Sequence, residues 1–169
     1  MTKTGIENNK LLINDIDAVS ETAYGIIYRT AEQAGFTNAG WTDTEFTGGS
    51  VAKVNITHDT GSNPNRVYVD LAGTYKITYM VNAFCNSNVH TTYIRLYKNG
   101  SSEVLGSGTV LSENASYAFT LYNTVIVDLA ANDYVTLQGK TDNAAATDWM
   151  GDASFDTPIS AQIMLQKIN

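Results

Sequence analysis

Cysteine, proline and histidine are scarce in this chain of 169 residues, which has one, two and two of them. Cys85 stands alone, so no disulfide can form within the chain, and its place at the end of an apolar stretch predicts a buried free thiol. We therefore expect a protein that suits a reducing compartment or is assembled inside a cell before release. No stretch approaches the roughly 20 apolar residues of a membrane span, and the apolar residues 11–13 are too few for a signal peptide.

Charge is also scarce, because only 16% of the residues are Asp, Glu, Lys or Arg. The formal net charge is −7, and the ten Lys and Arg residues are scattered singly along the chain. A nucleic-acid-binding protein needs a basic stripe that contacts phosphates, and an anionic membrane surface attracts the same kind of stripe. The composition therefore argues against both partners, and the negative balance is typical of a soluble particle.

The two histidines do not form a recognisable site. His58 and His90 have no second His or Cys at a metal-ligand spacing. Cys85 and His90 suggest a thiol nucleophile only weakly, because no orienting Asn or Asp motif and no nucleophile elbow accompanies them. No pair of carboxylates stands in a recognisable catalytic frame. We expect no enzyme activity, no metal and no cofactor.

Residues 139–157 are predicted to form a long polar loop. Its acidic residues do not follow the D-x-D-x-D-G spacing of a calcium loop, so a solvated loop is the favoured interpretation; they are Asp142, Asp148, Asp152 and Asp156. Trp149 lies in the same loop. An exposed tryptophan there would stack on a sugar or anchor a partner, whereas a buried one would close the end of the fold; both alternatives stay open.

Residues 70–84 show the clearest pattern of the chain, an alternation with a period of two after the turn at residues 71–74. One face is apolar and is formed by Tyr75, Ile77, Tyr79, Val81 and Ala83. The other face is polar except for Met80 and Phe84. This period is that of a strand with one face against a core.

Further short alternating segments follow one another with turn residues between them. They begin near residues 24, 41, 51, 66, 92, 103, 115, 134 and 159, and residues 31–40 are interpreted as a loop because of Gly35 and Gly40. Asn99-Gly100 predicts a tight hairpin, since its turn type needs positive φ at both positions. With hardly any helix, the pattern predicts an all-β domain over residues 24–169, a sandwich or a barrel; eight strands in two antiparallel sheets would form a jelly-roll sandwich.

Residues 1–23 are predicted to be an N-terminal attachment arm. Their apolar side chains fit no single period and include Leu11, Leu12, Ile13 and Ile16. An arm of this length cannot bury them alone, so we expect it to pack on the domain, on a sister chain or on a larger host structure.

Three segments together resemble a known family. They are residues 71–79 (LAGTYKITY), 94–100 (IRLYKNG) and 127–137 (VDLAANDYVTL). In order and spacing they are similar to the jelly roll shared by tumour necrosis factor (TNF) and the globular head of the collagen-tailed complement protein, over about residues 50–168. The resemblance implies a ten-strand sandwich that forms a homotrimer about a three-fold axis.

Residues 24–29 (YGIIYR), placed before such a domain, also resemble bacteriophage virion proteins. This resemblance implies a non-enzymatic structural protein of the virion, a capsid decoration or head-fibre protein that is assembled in the host cytoplasm and contacts other virion proteins. The alternative is a fibre-tip module that binds a receptor or a host surface glycan, with Trp149 as the candidate ligand residue.

Outward apolar side chains support the trimer, because a closed ring buries them without open-ended association. The candidate interface residues are Met80, Tyr122, Ile126 and Tyr134. Scattered surface tyrosines are also normal in β proteins, so this assignment is one of two interpretations.

Overall fold

The computed structural model describes residues 21–36, 40–85, 90–113, 118–142, 147–150 and 159–169, and gives only the backbone at residues 35, 85, 90, 113 and 147–149. These residues form fourteen strands and no helix. The strands are β1 (Tyr24–Arg29), β2 (Gln33–Phe36), β3 (Thr42–Asp43), β4 (Gly49–Val54), β5 (Ile56–Thr57), β6 (Val67–Val69), β7 (Gly73–Cys85), β8 (His90–Lys98), β9 (Ser102–Glu103), β10 (Thr109–Glu113), β11 (Ala118–Leu129), β12 (Tyr134–Thr141), β13 (Thr147–Trp149) and β14 (Ala161–Lys167).

The strands form two sheets in which every described pairing is antiparallel. Sheet I has the order β2-β13-β7-β14-β1-β4, and β11 pairs with the other side of β7. Sheet II has the order β10-β8-β12-β6-β5, with β3 paired to β12 and β9 paired to β8. The predicted all-β, two-sheet antiparallel architecture is therefore confirmed.

The core lies between the sheets and follows the predicted alternation. On β7, the side chains of Tyr75, Ile77, Tyr79 and Val81 are fully buried. Sheet II and the last strand contribute in the same way; their fully buried residues are Val67, Val69, Ile94, Leu96, Val135, Leu137, Ala161, Ile163 and Leu165. Each large apolar side chain removed from water contributes about 1.5–3 kcal/mol, which offsets the entropy lost when the strands order.

The hairpin predicted at Asn99-Gly100 is present. Both residues have positive φ, 51° and 64°, and the amide of Ser101 donates a 3.0 Å hydrogen bond to the carbonyl of Lys98. The side chain of Asn99 also accepts a 2.8 Å hydrogen bond from the amide of Tyr134. The turn therefore fixes the start of β12 as well as the end of β8.

Two expected loops contain strands. Residues 31–40 were predicted to be a loop, but residues 33–36 form β2, whose Phe36 is fully buried. The predicted loop 139–157 is interrupted by the end of β12 and by β13. The reason is tertiary, because β2 pairs with β13 and β13 pairs with β7, so these segments gain their hydrogen bonds from distant parts of the chain.

The alternation predicted for residues 50–56 is broken twice. Ala52 has a φ of 45° and forms a bulge, because the register with β1 shifts opposite it. Asn55 has a φ of 51°, and the chain leaves sheet I before it and enters sheet II after it. The Asn55 side chain donates a 2.7 Å hydrogen bond to the carbonyl of Thr22, so the crossing point is tied to the residues that precede β1.

Arg29 is a buried cation at the end of β1, with 7% of its surface exposed. Its guanidinium donates hydrogen bonds to the carbonyls of Ala31, Glu32 and Glu45 and to the Thr47 hydroxyl. Burial lowers the pKa of Arg29, and the charge of Glu45 opposes that shift. The side chain therefore holds together the segments of residues 31–32 and 45–47.

Tyr79 links the two layers of the sandwich. Its ring lies in the core, and its hydroxyl donates a hydrogen bond to the carbonyl of Ser107. The Ser107 hydroxyl in turn accepts a 3.0 Å hydrogen bond from the amide of Leu96 in β8. Burial raises the pKa of Tyr79 to about 12, so the phenol stays protonated at neutral pH.

Candidate functional site

The outer face of sheet I carries most of the exposed large apolar side chains that the structure describes. It is reached by alternate residues of five neighbouring strands, β11, β7, β14, β1 and β4. We call this surface the apolar face; its residues are Tyr24, Ile26, Val51, Val54, Met80, Tyr122, Ile126 and Met164. Tyr122 is 72% exposed, Ile126 65% and Val51 55%.

The strand register places these residues side by side. Met80 lies directly opposite Tyr122 on one side and Gln162 on the other. Ile26 lies between Met164 and Val51. Paired residues of antiparallel strands project from the same side of a sheet, so these residues share one face, with polar residues between them, since Ile126 lies opposite Lys76 and Met164 opposite Thr78.

Three of the four predicted interface residues belong to this face, namely Met80, Tyr122 and Ile126. The fourth, Tyr134, lies on the other sheet, because it pairs with Tyr68 in β6. The period of two assigned Tyr134 correctly to an outward position, but it does not say which of two sheets a strand joins. The register adds five residues that the sequence did not single out: Tyr24, Ile26, Val51, Val54 and Met164.

Two other groups of predicted residues lie outside what the structure describes. The backbone of Trp149 belongs to β13, but its side chain is among those not described. The predicted docking residues of the arm precede residue 21; they are Leu11, Leu12, Ile13 and Ile16.

The outer face of sheet II has a different character, because its aromatic rings lie against cations. The Cζ atom of Arg95 is 4.0 Å from the ring centroid of Trp41 and 4.6 Å from that of Tyr97. The Nζ atom of Lys140 is 4.9 Å from the centroids of Trp41 and Tyr93. We call these five residues the cation–aromatic cluster; each contact contributes about 0.5–1 kcal/mol at an exposed site.

A second group of this kind lies next to the cluster. The guanidinium carbon of Arg66 is 4.7 Å from the centroid of Tyr134, and the rings of Tyr134 and Tyr68 are 5.2 Å apart. The guanidinium of Arg66 also donates a 3.4 Å hydrogen bond to the Tyr68 hydroxyl. This hydrogen bond raises the pKa of Arg66, and the charge of Asp43 adds to the effect.

A cleft of about 220 Å³ opens beside Tyr134. Its lining is mostly polar and aromatic: Asp43, Asn65, Arg66, Tyr97, Gly100, Tyr134, Thr136 and Gln138. The side chains of Asn65 and Gln138 donate hydrogen bonds of 2.5 and 2.8 Å to the two carboxylate oxygens of Asp43. Gln138 in turn accepts a 2.9 Å hydrogen bond from Arg95, so the cleft and the cation–aromatic cluster share one network.

No described part of the chain brings together three or more His, Cys, Asp or Glu side chains that could hold a metal ion. His58 is buried, packs edge-on against Phe46 and has its Nε2 atom 3.2 Å from the carbonyl of Pro64. Asp142 accepts a 2.7 Å hydrogen bond from the amide of Thr91, which is a structural contact. None of the described segments forms a helix long and apolar enough to cross a membrane.

Known proteins resemble this chain in structure rather than in sequence. No family model matches it, and no curated protein sequence matches it significantly. Among solved structures, Eiger TNF from S. frugiperda superposes with a TM-score of 0.57 at 11% identity, over 88% of this chain and 92% of that one. Murine APRIL at pH 5.0 gives a TM-score of 0.53 at 10% identity, and at pH 8.0 it gives 0.54 at 11%; both cover 87% of this chain and 99% of theirs. The TNF-like jelly-roll fold expected from the sequence is thus confirmed.

Proposed function

We propose that this TNF-like jelly roll is a non-enzymatic structural protein that assembles into a homotrimer through the apolar face. The trimer is supported by the exposed apolar side chains of the apolar face, on the outside of sheet I. Among them, Tyr122 is 72% exposed and Ile126 65%. Apolar side chains of this size, gathered on one sheet face, are typical of a surface that another protein covers.

A closed three-fold ring is the form of assembly we favour. TNF-like folds are typically homotrimers. A ring lets each copy cover part of the same face of the next, so the apolar surface is buried without leaving an end that recruits more copies. Each fully exposed side chain of this size that a neighbouring copy buries contributes about 1.5–3 kcal/mol, which opposes the entropy lost when the copies associate.

Light scattering coupled to size-exclusion chromatography tests the assembly. The wild-type chain should have three times its monomer mass of 18.3 kDa. Tyr122→Lys and Ile126→Lys each place a charge in the interface and should weaken assembly by about 2 kcal/mol or more, giving monomers on dilution.

Val110→Lys is the matched control. Val110 is 57% exposed, like the two test residues, but it lies on β10 of sheet II. This variant should remain trimeric. A wild-type chain that is monomeric at all concentrations would contradict the proposal, and so would equal behaviour of all three lysine variants.

The setting we propose is a bacteriophage particle, as a capsid decoration or head-fibre protein assembled in the host cytoplasm. It is supported by the apolar residues of the arm and by the resemblance of residues 24–29 to virion proteins. Residues 1–23 would dock on other virion proteins through Leu11, Leu12, Ile13 and Ile16. The alternative is a fibre-tip module that binds a receptor or a host surface glycan, with Trp149 as its candidate ligand residue.

Removing residues 2–22 tests the arm. The shortened chain should fold and keep its oligomeric mass but should no longer join particles in an incorporation assay. Substituting Leu11, Leu12, Ile13 and Ile16 together by serine is the milder version and should reduce incorporation in the same direction. Incorporation at the wild-type level in both cases would overturn the role of the arm and leave the assembly proposal untouched.

A further inference from the structure

We infer that the cleft on the outer face of sheet II is a binding site for one ring of a neutral saccharide. The cleft lies on the outer face of sheet II, whereas the apolar face belongs to sheet I. The inference rests on its size, its aromatic lining, its fixed polar groups and its balance of charge.

The size of the cleft suits a single small ring. Its volume of about 220 Å³ lies below the roughly 300–1,000 Å³ of pockets that enclose drug-sized ligands. Gly100 keeps it open, because a Cβ atom at that position would lie 2.9 Å from the Tyr134 hydroxyl. The side-chain oxygen of Asn99 accepts a hydrogen bond from the amide of Tyr134, and the amide of Asn99 donates one to the carbonyl of Tyr134. These two bonds hold the backbone from which the Tyr134 ring projects.

Tyr97 and Tyr134 are the aromatic residues of the lining, and C–H groups of a sugar ring can pack on the parts of their rings that the guanidinium groups leave uncovered. Both tyrosines are half-buried, and each has a guanidinium against its ring, from Arg95 and Arg66 respectively. A ring held in this way loses little conformational entropy when a ligand arrives, which favours binding.

The polar groups of the cleft can both accept and donate hydrogen bonds, as sugar hydroxyls require. Each carboxylate oxygen of Asp43 accepts one described hydrogen bond and has room for another. The amide nitrogen of Gln138 uses one of its two protons on Asp43, and the other remains for a ligand. Because Asn65, Asp43 and Gln138 hold one another, these groups are oriented before a ligand binds.

The charges select a neutral ligand. Asp43 and Arg66 carry opposite charges on the same cleft, so an anion meets the carboxylate and a cation meets the guanidinium. The chain also has a net charge of −7, which disfavours anions further. A polyhydroxyl ring gains from both groups and is repelled by neither.

The test is a titration of the ¹⁵N-labelled full chain, followed by TROSY NMR, with five sugars added separately at millimolar concentrations. The probes are glucose, galactose, mannose, rhamnose and N-acetylglucosamine. We expect at least one sugar to shift the amides of the cleft, those of residues 65–66, 97–100 and 134–138. Absence of saturable shifts in these residues with all five sugars would overturn the inference, as would shifts centred on another surface, and tighter binding of inorganic phosphate would overturn its neutral specificity.

Variants make the assignment specific. Tyr134→Ala and Asp43→Asn should each raise the dissociation constant at least tenfold. Tyr134→Phe, which keeps the ring, should raise it less. Tyr93→Ala is the control, since Tyr93 belongs to the cation–aromatic cluster and does not line the cleft. Equal affinity of the Tyr134→Phe, Asp43→Asn and wild-type chains, all with wild-type thermal midpoints, would contradict the inference. Because the mass of each variant is measured separately, failure of this site is distinguishable from failure of the trimer.

Discussion

The outer faces of the two sheets are both built from antiparallel strands, but the chemistry of their surfaces differs. On sheet I, Tyr122 and Ile126 stand more than half exposed. On sheet II, the aromatic rings of Trp41 and Tyr134 lie against guanidinium groups at 4.0 and 4.7 Å. An aromatic ring at the surface is stabilised by the cation that packs against it, whereas a group of exposed apolar side chains is stabilised only when another surface covers it.

The difference shows that outward alternation alone does not identify an interface. Tyr122 and Tyr134 both occupy outward positions on their strands, yet Tyr122 lies opposite the apolar Met80, whereas Tyr134 lies against Tyr68 and Arg66. The neighbours across the sheet determine whether an outward tyrosine is part of a surface to be covered. The predictions that follow contrast residues of one type in two environments.

The largest effect should come from Arg29→Met. This change leaves the carbonyls of Ala31, Glu32 and Glu45 without their donor in a buried place, at about 1–3 kcal/mol for each unsatisfied group. We expect the free energy of unfolding to fall by about 3 kcal/mol or more, measured by urea denaturation. The same change at Arg95, which contacts the half-buried rings of Trp41 and Tyr97 and hydrogen-bonds Gln138 and Glu103, should lower it by less, about 1–2 kcal/mol, and equal losses would contradict this contrast.

Removing a single hydroxyl sharpens the comparison between inside and outside. Tyr79→Phe leaves the carbonyl of Ser107 without a donor in the core and should lower the free energy of unfolding by about 1–3 kcal/mol. Tyr122→Phe changes an exposed hydroxyl and should stay within about 0.5 kcal/mol in the monomer. Thermal and urea midpoints of both variants check this, with a Tyr122 effect as large as that of Tyr79 as the contrary result.

His58 makes the free energy of unfolding depend on pH. It lies close in sequence to Asn55, where the chain passes from sheet I to sheet II. Burial is the main cause that lowers the pKa of His58 in the folded state. Above the unfolded pKa of about 6.5, His58 is neutral in both the folded and the unfolded chain, and its contribution to the free energy of unfolding is fully present. As the pH falls below this value, the unfolded chain binds the proton first, so the free energy of unfolding decreases. The decrease ends once the pH is below the folded-state pKa.

Urea midpoints at about pH 7.5 and about pH 5 measure this dependence on His58. His58→Gln should reduce the difference between the two midpoints. An unchanged difference would assign the pH dependence to other groups.

The smallest effect concerns Asp133, beside the Asn99-Gly100 hairpin of sheet II. The hydrogen bond from Lys98, at 2.7 Å, and one from Asn99 hold the pKa of Asp133 at about 2. The stability that this carboxylate contributes is present above its unfolded pKa and is lost as the pH falls from about 4 to about 2. Asp133→Asn should flatten the acid end of the stability curve in that interval, and a curve that superposes on the wild type would contradict the assignment.

The sequence predicted which face of a strand is buried better than it predicted which strands pair with each other. The alternation from Tyr75 to Val81 indicated the core of β7 correctly, and Asn99-Gly100 marked the hairpin, because both signals are local. The strand β2 was missed because its pairing partner β13 lies more than a hundred residues along the chain. Likewise, the bulge at Ala52 carries no turn residue, so local propensity gave no sign of its positive φ.

The candidate surfaces divide in the same way. Met80, Tyr122 and Ile126 were predicted as outward residues from period alone, and the structure places all three on the outer face of sheet I, with Met80 opposite Tyr122 and Ile126 opposite Lys76. The cleft was not foreseen, because its lining comes from four separate segments of the chain that meet only through the order of sheet II. Sequence reasoning can supply the chemistry of such residues, but only the register supplies their distances.

The passage of the chain from one layer to the other at Asn55 has a mechanical consequence. Asn55 bonds the carbonyl of Thr22, and β1, which starts two residues later, is hydrogen-bonded on both sides, to β14 and β4. A pull applied through the N-terminus would therefore load two ladders in shear and reach both layers at once. The last strand, β14, is also hydrogen-bonded on both sides, to β7 and β1, but within sheet I alone, so force spectroscopy should give different unfolding steps for the two points of attachment.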